Sequence, residues 1–182
     1  VIEGPKAGGH LGFKVDEISE KQDNYDNDIK EIIACVKDFE ESTGKKIPVV
    51  FAGGVFDRKD IDHCFELGLD GVQMATRFVA TEECDAAPAY KQAYVNAKKE
   101  DIEIVTSPVG MPGRAIFSKF IQKVKEGQKQ PKTCMCKCIK TCDISKSPYC
   151  IIAALYNAFK GNMDNGYAFA GANAVSYTHL TL

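Results

Sequence analysis

The chain has 182 residues, 45% of them hydrophobic, with a net charge of −2 and a pI of about 6.0. That is enough to bury one sizeable core, and it gives no electrostatic case for nucleic acid as the main partner. No apolar stretch approaches the roughly 20 residues of a membrane helix and no charged-then-apolar leader is visible, so no membrane partner and a cytoplasmic location are expected.

Val1 to Glu3 reads as the end of a buried strand, followed by a glycine-rich turn over Gly4 to Gly12. The spacing of Ile29, Ile32, Ile33, Val36 and Phe39 predicts a helix over Asp28 to Thr43, stopped by Gly44. Pro48 to Ala52 is a short apolar run closed by Gly53-Gly54, the pattern of a strand buried on both faces. Asp57 can cap a helix over Arg58 to Leu67 that Gly68 ends, and Asp70 to Met74 forms the next strand. Strands and helices alternating through short loops predict βαβ units and a parallel sheet.

After Phe78 the rhythm changes. Pro88 to Lys99 reads as helix, Ile102 to Thr106 as extended, Ser107 to Gly113 as loop and Ala115 to Val124 as helix. Gly127 to Thr133 is polar and Lys-rich. Pro148 to Phe159 has the apolar spacing of a further helix, with Gly161 at its end. Ser176 to Leu182 breaks the preceding Gly/Ala pattern and reads as an artefactual tail, and Val1 reads as a start in mid-fold.

In a parallel barrel, consecutive strands bring their C-terminal ends side by side, and a phosphate often sits at the loops after the last two. The turns at Gly53-Gly54 and Ala75-Thr76 are one βα unit apart and suit that role. Glycines permit close backbone approach, free N–H groups face the anion, and Thr76 and Arg77 add donors. The alternative for the glycine pair is a plain strand-to-helix turn.

Three stretches together resemble the nitronate monooxygenase family, formerly the 2-nitropropane dioxygenases, which includes the flavin-dependent enoyl-acyl-carrier-protein reductases of type II. They are Glu3 to Gly12 (EGPKAGGHLG), similar to E-G-x-x-A-G-G-H-x-G; Pro48 to Val55 (PVVFAGGV); and Val72 to Glu82 (VQMATRFVATE), similar to Q-M-G-T-R-F-x-x-x-x-E. Pro88 to Lys91 is similar as well. Ala75 and Ala87 depart from the glycine and histidine common in the family.

The resemblance implies an α/β fold, the C-terminal part of a TIM-type (β/α)8 barrel with a small inserted α/β lobe. Residues 1–80 would be the last barrel strands, 81–145 the inserted lobe with its Cys-rich segment, 146–174 the returning helix and segment, and 175–182 the tail. Such barrels need about 250 residues, so this part alone is expected to be inactive. It implies FMN held by Gly8, Gly9, Gly53, Gly54, Gln73, Met74, Ala75 and Thr76, with Gly171 and Asn173 returning toward it. It makes His10 the catalytic acid/base, where a lone histidine would otherwise read as a structural hydrogen bond.

The implied reaction is oxidation of alkyl nitronates with O₂. The alternative is NAD(P)H-dependent reduction of an enoyl thioester, and nothing in the visible residues chooses. A small-molecule substrate is expected, and a homodimer is compatible.

Five cysteines lie in C-x-C-x-C-x3-C-x7-C spacing from Cys134 to Cys150. Cys134, Cys138, Cys142 and Cys150 could ligate zinc or an iron–sulfur cluster, with Lys137 and Lys140 favouring thiolates. Reduced thiols packed by the following helix are the alternative. A Cys/Lys-rich binding module is the non-enzymatic reading.

Overall fold

A computed structural model describes residues 1–128, 130, 134, 138 and 142–177. Three short strands, β1 (Ile2–Glu3), β3 (Val50–Ala52) and β4 (Gly71–Gln73), form a parallel sheet in the order β1-β3-β4. Phe51 stands opposite both Ile2 and Val72. Asp70 fixes the β3–β4 register from below: its N–H donates to Val49 O at 2.8 Å, and its carboxylate accepts from Val49 N at 2.7 Å. The sheet is covered on one side by α2 (Asp26–Thr43) and α3 (Arg58–Glu66). Ile29 and Ile33 from α2 and Cys64 from α3 pack on Ile2, Val49 and Phe51.

Local chemistry explains these helix ends. Gly44 sits at φ 67° and donates to Glu40 O, closing α2. Asp57 accepts from the N–H groups of Lys59 and Asp60, while the Asp60 carboxylate accepts from Phe56 and Asp57, so α3 opens on a reciprocal cap. A short helix α1 (Val15–Lys21), unforeseen from the sequence, precedes α2 and buries Ile18 beside Ala7 and Leu11.

The second sheet is antiparallel, in the order β2-β6-β5, from β2 (Gly9–His10), β5 (Ile102–Thr106) and β6 (Pro112–Ile116). It draws its first strand from the glycine-rich turn: Gly9 stands opposite Arg114 and His10 opposite Gly113. This corrects the helix predicted from Ala115. Ala115 and Ile116 are strand residues paired with Glu103 and Ile102, and the helix α5 (Lys119–Lys125) begins only after Ser118, whose Oγ accepts from Ile121 N. Apolar spacing alone could not separate a buried strand from the first turn of a buried helix.

The remaining helices are α4 (Pro88–Asn96) and α6 (Ile151–Phe159). The segment after α6 returns across β6. Ile116 N donates to Ala168 O and Ala170 N to Arg114 O, and Tyr167, Ala168, Ala170 and Ala174 are almost wholly buried. No helix among the described residues is long and apolar enough to cross a membrane.

A glycine-walled cavity beside His10

A cavity of about 340 Å³ opens at the C-terminal ends of β1, β3 and β4. Gly8 and Gly9 border it from the first loop, Gly53 and Gly54 from the turn after β3, and Gln73 to Thr76 from the end of β4. The eight residues expected to hold a cofactor are thus brought to one space. Its size lies within the roughly 300–1,000 Å³ of small-molecule sites.

The turn after β3 has the geometry of an anion cradle. Gly53 and Gly54 take φ of 110° and 84°, and neither N–H finds an acceptor among the described residues. Their packing excludes side chains: a Cβ at Gly53 would lie 2.8 Å from Ala7, and one at Gly54 2.8 Å from the Lys6 side chain. Asn173 Nδ2 donates to Gly54 O at 3.0 Å, holding that carbonyl outside the cradle. Opposite, a 3-10 turn over Thr76–Phe78 opens at the cavity wall, where its first N–H groups have no partner inside the turn. Thr76 Oγ1 accepts from Gly171 N at 3.1 Å, which leaves its hydroxyl hydrogen to donate.

Ala75, where glycine is usual, sits at φ −127°, so the methyl costs no left-handed strain. The alternation of β4 separates its neighbours: Gln73 is exposed, whereas Met74 packs its side chain into the core beside Val72. Arg77 borders the cavity but stacks 4.9 Å from the Phe56 ring centroid and donates to Phe56 O, so its guanidinium is anchored there.

His10 follows Gly9 of the cavity wall. Its Nε2 lies 2.8 Å from Ser107 Oγ, and its ring meets Phe169, a wall residue, edge-on at 5.1 Å between centroids. Ser107 is 3% exposed and its Oγ already accepts from Val109 N at 3.3 Å. The hydroxyl keeps a second lone pair as well as its hydrogen, so Ser107 can pair with Nε2 in either tautomer of the ring.

Beneath this loop Arg114 is 4% exposed and donates to Ala7 O. Burial pulls its guanidinium below the ordinary range, and the Glu3 carboxylate opposes that shift. Sequence reasoning passed over Ser107, Arg114, Tyr94 and Phe169 as site residues; their partners lie far away in the chain, and no local motif marks them.

A second cavity, about 350 Å³, lies across the Gly53-Gly54 turn between α2 and α3. Asp23, Asp26 and Asp60 border it together with Lys6 and His63, which lie 3.5 Å and 3.0 Å from Asp23 and Asp26.

The four cysteines proposed as metal ligands are not gathered. Cys134, Cys138 and Cys142 are exposed free thiols, and Cys150 is half-buried as the residue before α6. Among the described residues no three His, Cys, Asp or Glu side chains approach a common point. Cys150 is fixed by the start of the helix, where its carbonyl accepts from Ala154 N, while the others lie on the surface. Cys136, Lys137 and Lys140 lie outside the described residues.

Consecutive parallel strands with glycine-rich turns at their C-terminal ends fit part of a TIM-type α/β barrel. The family model for nitronate monooxygenase matches residues 1–181, and the chain belongs to that family. It is 31% identical over 127 residues to a probable nitronate monooxygenase of Staphylococcus saprophyticus, covering 69% of this chain and 34% of that protein. A dehydrogenase of Mycobacterium tuberculosis acting on an indene-carboxyl-CoA is 28% identical over 71% of this chain and 32% of that protein. Among solved structures, FabK from Thermotoga maritima superimposes with a TM-score of 0.66 at 25% identity, over 98% of this chain and 48% of that one. Nitroalkane oxidase from Streptomyces ansochromogenes shares the fold at a TM-score of 0.57 and 22% identity, over 95% of this chain and 45% of that one. The chain thus spans about a third to a half of these relatives.

Proposed function

We propose that this chain provides the FMN-binding face and the substrate-holding histidine of an oxidoreductase that oxidises alkyl nitronates with O₂. The observation that carries the reading is the convergence of the Gly53-Gly54 and Thr76 turns on one cavity whose wall includes Gly9 and Phe169, the chain neighbour and the ring partner of His10. The residues fit FMN: the Gly53 and Gly54 N–H groups, the start of the 3-10 turn and the Thr76 hydroxyl would hold its phosphate. When bound, FMN supplies the redox chemistry.

The chain's own contribution is binding and proton placement. The Ser107 bond engages Nε2 of His10 and leaves Nδ1 as the ring nitrogen to meet a nitronate oxygen, and the Phe169 edge contact holds the ring. Arg114 braces the Ala7 to Gly9 wall through the Ala7 carbonyl.

The test is a pair of assays on the full-length enzyme reconstituted with FMN. O₂ uptake with propyl nitronate is expected, and it should fall at least 100-fold in His10→Ala. A second reading, reduction of an enoyl thioester by NAD(P)H, draws support from the two FabK chains, whose TM-scores of 0.66 and 0.63 exceed that of nitroalkane oxidase. NAD(P)H oxidation with crotonyl thioester, and no turnover of nitronate, would establish that reading instead.

A further inference from the structure

Two tyrosines on α4, Tyr94 buried and Tyr90 half-buried, border the same cavity and take no part in the chemistry above. Tyr94 is 3% exposed, and its hydroxyl donates to Phe169 O at 2.5 Å. A phenol has one hydrogen, so that bond commits it. Tyr90, one helical turn earlier, has its hydroxyl 3.2 Å from that of Tyr94. Because Tyr94 has no hydrogen left to give, Tyr90 is the donor of this pair. Tyr90 then retains only acceptor capacity. Burial pushes both phenols above their usual range, so neither is a phenolate near neutral pH.

The neighbouring cations do not reverse this polarity. Lys91 Nζ donates to Thr81 O at 2.7 Å, and Arg77 is anchored on Phe56. The cavity therefore combines opposite kinds of wall. At Gly53, Gly54 and Thr76 it offers donors. At Tyr90 it offers an acceptor with no hydrogen to give. A ligand meeting both demands carries an anion next to a hydroxyl donor, as a phosphorylated polyol does; inorganic phosphate or a phosphate on a bare alkyl chain meets only the first.

We infer that Tyr90 is a ligand-binding residue whose acceptor polarity is locked by Tyr94, and that its oxygen takes the hydrogen of a hydroxyl on the polyol chain next to the bound phosphate. This rests on the flavin reading, in which that chain is the ribityl group of FMN.

The experiment measures binding to the full-length apo-enzyme by quenching of flavin fluorescence. The probes are FMN and an analogue with a phosphopentyl chain in place of ribityl phosphate. Tyr90→Phe keeps the ring and removes the acceptor. It should weaken FMN about five-fold, the effect of one neutral hydrogen bond, and leave the analogue unchanged. Thermal melting within about 2 °C of wild type would show that the packing survives. Equal weakening of both probes would make Tyr90 a packing residue and overturn the inference, as would no weakening of FMN. If wild type binds neither probe, the flavin reading itself fails and the Tyr90 assignment falls with it. Binding of both probes with an unchanged FMN preference in Tyr90→Phe overturns the Tyr90 assignment alone.

Discussion

Replacing Gly53 by alanine tests the cradle most directly, because two separate costs fall on one methyl. At φ 110° an L-residue is strained, by about 1 kcal/mol or more. The added Cβ would also lie 2.8 Å from Ala7 N and Cβ and 2.9 Å from its Cα, which cannot all rotate away. Overpacking against backbone costs about 1–3 kcal/mol. Together the expected loss is about 2–4 kcal/mol. Gly9 provides the internal control. It also has positive φ, 85°, but a Cβ there meets no atom within 4 Å. Gly9→Ala should therefore cost only about 1 kcal/mol. Urea unfolding of the two variants beside wild type measures both numbers. If Gly53→Ala destabilises no more than Gly9→Ala, the close approach of the His10 loop to the phosphate turn is wrong, and the cavity argument goes with it.

Asn173→Ala should weaken FMN binding about five-fold by freeing the Gly54 carbonyl to turn into the cradle, as read by fluorescence titration. Ser107→Ala removes the hydrogen-bond partner of His10 Nε2, and ¹⁵N spectra should show a changed balance of imidazole tautomers relative to wild type. Asp57→Ala should cost about 1 kcal/mol through loss of the α3 cap, measurable by denaturant unfolding. Tyr90, Tyr94, Tyr149 and Tyr167 are all raised above the ordinary 10.0, chiefly by burial. Folded phenols therefore keep their protons where unfolded ones lose them. Their contribution is complete below pH 10 and declines as pH rises beyond it, so the urea midpoint should fall from pH 9 to pH 11.

The barrel part of the fold was legible because its signals are local. Gly44, Asp57 and Gly68 act within one helical turn of themselves, the apolar run at Val49 to Ala52 sits between Gly44 and Asp57, and the strand over Gly71 to Gln73 follows Gly68. The candidate cradle was legible for the same reason: each of its glycine turns is written in consecutive residues. The helix expected from Ala115 failed where apolar spacing fits strand and helix alike, and ladder partners at Glu103 and Ile102 decided the matter. The cysteine spacing was visible too, yet among the described residues close spacing in sequence did not bring the sulfurs to one point.

The amino-acid order by itself determined the parallel strand–helix units, their caps and the turns at Gly53-Gly54 and Ala75-Thr76, since each depends on groups a few residues apart. Tertiary structure alone decided how those turns are completed. His10 meets Ser107 across 97 residues, Arg114 reaches Ala7 across 107, and Asn173 holds Gly54 across 119. Contacts at such separations depend on how the sheets and the returning segment pack, and a sequence pattern records the side chains without recording which of them meet.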